Sequence, residues 1–572
     1  MKNNFFILSL LLIIFFHSGN LCAQPGWQWA ITNNMSFNGV IEAAPIVTDN
    51  FGNAFIAGTF WINDSVSFGA NTIHGQSSVF LVKADSNGHY NWALNTTYAS
   101  DCQAKAMCTD ASGNVYLLAD YVSGDSCGIG SVTMYNPSLY IMDFVAKIDS
   151  SGHVQWAKNI IGSQTFGSGY GGIAVDREGN VYITGSYNLP TYTIGPSTLV
   201  NASPIGDSSD IYLTKFDALG NPLWGKSFGG HSNDWPNALT LSASGSIYIL
   251  GSYESATMTI GTDTLTDSLT GTISSNNFLA KFDNNGNPEW AKSVNRNLEL
   301  YDLKLGNPDN LFTTGYTSSA ITMGSFYLPD KGSVLIDYDT SGNINWANVA
   351  VGGHTAIGDK VAPDTCGNVW MSGLVLGILT CDSTIIDTPA ICNDPLFIAA
   401  YDRCGHYIPG TGHILGSGAD DELGLAIDNR GNLYTGGDYE DATMVIGTDT
   451  LVNPGPFHEY LMLAKYRIGA MPCGSYLCNP ATLNTITNQF PEANITVYPN
   501  PAFNEFTIQN DHSFAPGDKA ELFDMAGRLV GKYALNGVAV EVYLTSLQPG
   551  IYQCRIITGD HSVIVKKVVI LK

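Results

Sequence analysis

Basic residues are scarce in this 572-residue chain: 25 Lys+Arg stand against 50 Asp+Glu, a formal charge of −25. That balance argues against a nucleic-acid partner, which needs a basic face. Charged residues of both signs reach only 13%, while 44% are hydrophobic and glycine numbers 61. This is neither a coiled coil nor an acidic disordered tail. Long apolar runs are also missing after residues 5–16. That run follows Lys2 and leads to Leu21-Cys22-Ala23, which reads as a signal peptide over residues 1–23 with cleavage before Gln24. It is too short to span a bilayer, so no transmembrane segment is expected. The His residues show neither H-x-H nor H-E-x-x-H spacing, so no metal site can be read, and no cofactor motif is present.

What the chain has in quantity is repetition. Between residues 47 and 439 a turn, of type Asp-x-x-Gly in five of seven copies, is followed by Asn or Ser, an aliphatic residue and an aromatic one: at Phe55, Tyr116, Tyr182, Tyr248, Phe312, Trp370 and Tyr434. The spacing is 58 to 66 residues. A second pattern alternates with it, of type Phe-Leu-Ala-Lys-Phe-Asp-x-x-Gly with Trp-Ala-Lys beyond, and carries Trp92, Trp156, Trp224, Trp290 and Trp346. Between the two lies a third, seen as Ile194-Gly195, Ile260-Gly261, Met323-Gly324 and Ile446-Gly447. Four strands plus a hairpin per repeat predict an all-β, seven-bladed β-propeller over residues 24–470. The seventh repeat ends at Gly469 without its Trp-Ala strand, and Trp27-Gln28-Trp29-Ala30 supplies one. The N-terminal strand is therefore expected to pair with residues 461–466 and close the ring. The repeats resemble the bacterial propeller repeats known as SBBP, notably at Gly179-Asn180-Val181-Tyr182 and Phe278-Leu279-Ala280-Lys281. That resemblance implies a fold and no particular chemistry.

The acidity belongs to residues 24–495, which carry −26; residues 496–572 are neutral. After a linker over 471–494, this neutral unit at 495–572 reads as seven short strands, a small β-sandwich of immunoglobulin-like type. Its blocks Val497-Tyr498-Pro499-Asn500-Pro501, Leu522-Phe523-Asp524-Met525-Ala526-Gly527 and Leu547-Gln548-Pro549-Gly550-Ile551-Tyr552, closed by Lys566-Lys567, resemble the type A C-terminal sorting domain of the type IX (Por) secretion system of Bacteroidetes. The resemblance implies an outer-membrane translocon as partner, removal of the domain, and a passenger released or held on surface lipopolysaccharide.

Eleven Asp-x-x-Gly motifs invite a calcium reading, but Asp283-Asn284-Asn285-Gly286 lacks the glycine and glutamate placement of a hand-type loop. An Asp side chain bonding its own turn explains the motif without metal. Gly124-Asp125-Ser126-Cys127-Gly128 matches the hydrolase elbow pattern but has no helix signal after it, which makes it a chance match. Aromatics at the end of the second strand in nearly every repeat, including Tyr187 and Tyr253, either stack on a ligand or pack between blades. The loops that differ among repeats are the better ligand-face candidates, with Asp101, Asp234, Trp235, His354, Asp359, Asp420, Asp421 and Glu422. No catalytic pair stands out. The expected role is a non-enzymatic surface or secreted binding protein for a glycan or protein, with a secreted carbohydrate-active lyase or hydrolase as the alternative. In an oxidising location Cys366 and Cys404, in equivalent turns of the sixth repeat, are expected to be bonded, and Cys473 is expected to pair with Cys478.

Overall fold

The computed structural model describes residues 26–469 and 496–570, apart from short loop segments within each. The expected signal peptide, the linker with Cys473 and Cys478, and the loop residues Asp101, His354, Asp420, Asp421 and Glu422 lie outside the described residues. By internal packing the chain divides into two compact units, Met1–Leu477 and Cys478–Lys572.

The first unit is a propeller-like, all-β arrangement. Its described residues form seven four-stranded antiparallel units, each with its strands in chain order except the last. The fourth repeat is typical: Asp234–Leu241, Ile247–Tyr253, Asn276–Phe282 and Pro288–Val294. Its second and third strands carry unbroken apolar stretches because both faces of the sheet are covered by neighbours. The seven first strands pack one on the next in cyclic order: Val40–Thr48, Gln103–Thr109, Gly172–Val175, Asp234–Leu241, Leu298–Leu305, Thr355–Pro363, Gly424–Ile427, and back to Val40–Thr48. In the seventh sheet the fourth strand is Gly26–Thr32, antiparallel to Tyr460–Arg467 with Trp27 opposite Tyr466 and Ala30 opposite Ala464. The expected pairing of the N-terminal strand is present.

The repeated residues now have reasons. Asp283 accepts the N–H groups of Asn285 (2.9 Å) and Asn287 (2.8 Å) on one oxygen and the Asn287 amide (2.8 Å) on the other, while Gly286 takes φ +73°. The carboxylate is consumed by its own turn, and among the described residues no cluster of His, Cys, Asp and Glu could hold a metal. The Lys of the second pattern lays its ammonium over the ring of the second strand, as Lys215 does on Tyr182 at 4.6 Å and Lys281 on Tyr248 at 5.7 Å. The tryptophans reach sideways: the indoles of Trp224 and Trp290 lie against Gly286 and Gly342, each in the turn before the last strand of the following sheet.

Each repeat also carries a short hairpin between its second and third strands, such as Thr257–Ile260 with Asp263–Thr266. These hairpins cross the junctions: Ser126–Ile129 of the second repeat pairs with Tyr90–Thr97 of the first, and Thr380 of the sixth bridges to Val351 of the fifth. In the sixth hairpin Asp382 takes φ +50° where the others place glycine. Its carboxylate is held by the Asn348 side chain (2.8 Å) and the Tyr407 N–H (2.7 Å), which offset the cost of that conformation. Ser126 and Gly128 lie within a hairpin strand, not at a strand-to-helix turn, so the elbow pattern is coincidental here.

The second unit has two sheets. Thr496–Tyr498, Glu505–Phe514 and Gly537–Tyr543 form one; Leu529–Ala534, Lys519–Asp524, Gly550–Ile557 and Val563–Ile570 form the other. Phe506, Ile508 and Val542 from the first share one apolar core with Leu522, Cys554, Ile556 and Val568 from the second.

Candidate functional site

All turns of Asp-x-x-Gly type lie at one end of the first unit, because they join first to second and third to fourth strands. The opposite end carries the hairpins and the connections from one sheet to the next. That is the end where the variable loops gather, and its described polar residues are largely committed to structure.

Asp359 is buried, accepts the N–H of Leu423 at 3.0 Å and pairs with Lys360 at 2.8 Å, tying the sixth sheet to the seventh. Asp302 does the same one junction earlier, accepting the Val361 N–H at 3.0 Å. Asp234 is fully buried: one oxygen accepts the Gly230 N–H (2.6 Å) and the Ser255 hydroxyl (2.9 Å). Burial outweighs these bonds and pushes its carboxyl up to about 7, and burial likewise lifts nearby Asp210 to about 6. Trp235 follows on the same strand, half-buried. Of the two readings open for Tyr187 and Tyr253, burial favours packing: both are fully buried, Tyr253 packing on Phe278 and bonding Ser293 at 2.8 Å. Their rings fill the space between sheets and have no free face.

Through the middle runs a cavity of about 470 Å³ lined by the first strands of all seven sheets. Sequence reasoning missed its lysines. Lys105 pairs with Asp143 (2.7 Å) and Asp120 (3.2 Å), Lys304 with Asp302 (2.9 Å). Burial alone would lower Lys105, but Asp143 and Asp120 outweigh it and hold the ammonium above its usual range.

Among the described cysteines Cys102, Cys108, Cys127, Cys381 and Cys554 are not in disulfide bonds.

In the second unit, Tyr552 is buried and donates to the Gln548 carbonyl at 2.8 Å, pinning the turn that precedes its strand. Asp524 stands opposite Tyr552, Lys566 opposite Cys554 and Lys567 opposite Gln553, and Gly550 begins the same strand. The motif residues Pro499, Asn500, Pro501, Gly527 and Leu547 lie outside the described residues. Residues 496–571 match the family described as the secretion system C-terminal sorting domain. This unit is a type IX sorting domain. The sorting domain directs the chain to the cell surface or the extracellular space and implies engagement with the type IX secretion machinery.

The chain is similar to an uncharacterized WD repeat-containing protein of Acanthamoeba polyphaga mimivirus, 22% identical over 76% of this chain and 36% of the relative. It is also similar to the regulatory protein FlaEY of Caulobacter vibrioides, 29% identical over 27% of this chain and 16% of the relative. The chain thus spans about a third or less of these curated relatives. Among solved structures it is similar to virginiamycin B lyase from Staphylococcus aureus (10% identity, 77% of this chain, 98% of that one, TM-score 0.36). It is similar too to PorZ, a surface component of the type IX secretion system of Porphyromonas gingivalis (10% identity, 95% and 100%, TM-score 0.17). Among the described residues no helix is long and apolar enough to cross a membrane.

Proposed function

We propose that the chain is an exported binding or adhesion protein built on a seven-bladed β-propeller whose N-terminal strand completes the last blade, and that an immunoglobulin-like sandwich at the C-terminus is its sorting signal. The observation that carries this reading is the use of polar groups. Asp302, Asp359 and Asp234 spend their carboxylates on main-chain N–H groups of the scaffold. A scaffold stiffened in this way presents loops of differing sequence at one end, the arrangement in which loops carry recognition. Glycans and surface proteins are the ligand classes that suit an exported molecule. The test is a glycan array probed with the secreted protein, followed by incubation of any hit with stoichiometric protein. Retention of intact ligand supports binding; release of new reducing ends supports the alternative, a carbohydrate-active lyase or hydrolase.

A further inference from the structure

The seventh repeat departs from the others at the end away from the variable loops. Six repeats end their third strand with an aspartate that ties the next turn: Asp85, Asp149, Asp217, Asp283, Asp339 and Asp402. In the seventh the same place, after Lys465-Tyr466, holds Arg467. No turn follows there, because the fourth strand comes from the other end of the chain. The turn before it, Asp428-Asn429-Arg430-Gly431, also carries a cation where its counterparts at Phe51, Ser112, Glu178 and Cys366 do not.

Arg430, Lys465 and Arg467 line one cavity of about 510 Å³, with Trp29, Gln28 and Asn87 on its other walls. Arg430 and Arg467 are exposed, and Lys465 is buried, donating to the Ser86 carbonyl at 2.8 Å. The nearest carboxylates are occupied by their own turns. Asp428 accepts the N–H groups of Arg430 and Asn432, each at 2.9 Å, and the Asn432 amide at 2.8 Å. Asp85 accepts the N–H groups of Asn87 (2.8 Å) and His89 (3.0 Å). Lys465 is lowered from its ordinary value, by burial first and then by Arg430 and Arg467, against the opposing pull of Asp428 and Asp85. Two guanidiniums and an ammonium lining one cavity with a half-buried indole match an oxyanion on a ligand with a flat apolar face.

We propose that this notch at the junction of the first unit's first and last strands binds an acidic saccharide, its carboxylate or sulfate held by Arg430, Arg467 and Lys465 and its ring against Trp29. The site is separate from the loop face and does not depend on what that face binds. Isothermal titration of the full exported chain with an oligogalacturonate, a sulfated oligosaccharide and a neutral oligosaccharide of equal length tests it. An acidic probe binds and the neutral one does not, added salt weakens binding, and the double variant Arg430→Gln with Arg467→Asp loses at least tenfold in affinity at an unchanged melting temperature. Both arginines are exposed, so the fold tolerates the changes. Which acidic probe binds more tightly tells carboxylate from sulfate. Unchanged affinity in the double variant, equal binding of the neutral probe, or no binding of either acidic probe overturns the proposal, whatever the loop face does.

Discussion

The indole N–H of Trp346 donates to the main-chain carbonyl of Arg403 at 3.1 Å, across the junction between the fifth and sixth sheets. Trp29 does the same to Ser86 (3.1 Å), Trp92 to Ser150 (3.2 Å) and Trp156 to Ala218 (3.1 Å). Each indole grips the turn of the following sheet, so the grip runs one way round. The sixth repeat has no such tryptophan, and the seventh sheet has no such turn to receive it; the two absences are one fact. At that junction His413, Trp27 and Tyr466 pack together instead, with ring centres 5.1 to 5.6 Å apart.

Trp346 is 2% exposed, so Trp346→Ala is expected to cost about 3 to 5 kcal/mol in urea unfolding. Trp224 is only half-buried, and Trp224→Ala should cost less, about 2 kcal/mol. Equal losses at the two positions would show that exposure does not set the grip.

Removing residues 26–32 takes the outer strand from the seventh sheet and Trp29 from the first junction together. The melting temperature should fall by more than about 10 °C, since a sheet edge and an inter-sheet contact are lost at once. A melt shifted by only a degree or two would show that the seventh sheet stands without its N-terminal strand.

Cys366 and Cys404 are expected to be bonded to each other. Val369 stands opposite Tyr401 in the sheet, and each cysteine lies three residues beyond that pair in neighbouring turns. Peptide mapping without reductant should find the two in one linked fragment, and Cys366→Ser should lower stability by about 2 to 4 kcal/mol. Linkage of either cysteine to another partner would contradict the pairing.

Stability should fall as pH rises from about 4 to 8. Asp337 stands where five of the other repeats have lysine; burial outweighs its amide hydrogen bonds and pushes it up to about 7, from an ordinary 3.8. A raised carboxyl keeps its proton in the folded state after the unfolded chain has lost it. Its contribution is therefore complete below about pH 4 and is lost as pH climbs through 7. The turn aspartates such as Asp283 work the other way: despite some burial, turn N–H groups hold them below 3.8, so their contribution is lost in acid. Asp337→Asn should gain about 1 to 3 kcal/mol at pH 8 and little at pH 4. Urea melts at both pH values decide it; an equal effect at each would remove the titration from the account.

The repeat, its turn aspartates and the N-terminal strand were legible because they rest on local chemistry recurring at a fixed interval. Trp27 to Ala30 matched the missing strand by composition alone. The burial of Asp359 and Asp234 was not legible, because their partners, Leu423 and Gly230, are set by contacts between and around repeats that no spacing reveals. The cations of the notch could have been found in the sequence. Setting Arg467 beneath Asp283 in register shows the change of sign, but only once the missing turn explains why that position is free to change.

The hairpins that lengthen each repeat have a meaning for life outside the cell. The last strand of a sheet in such a ring would offer a bare row of N–H and C=O groups, a template on which another chain can extend. Here the side chain of Asp263 takes the N–H of Ala291 (2.9 Å), Ser197 that of Gly225 (3.0 Å) and Asp449 that of Ala30 in the N-terminal strand (2.8 Å). The rim is hemmed, as a woven cloth is kept from fraying. Copies exported to the cell surface or the extracellular space, beyond the reach of cytoplasmic chaperones, thereby offer fewer free strand edges along which to knit into aggregates.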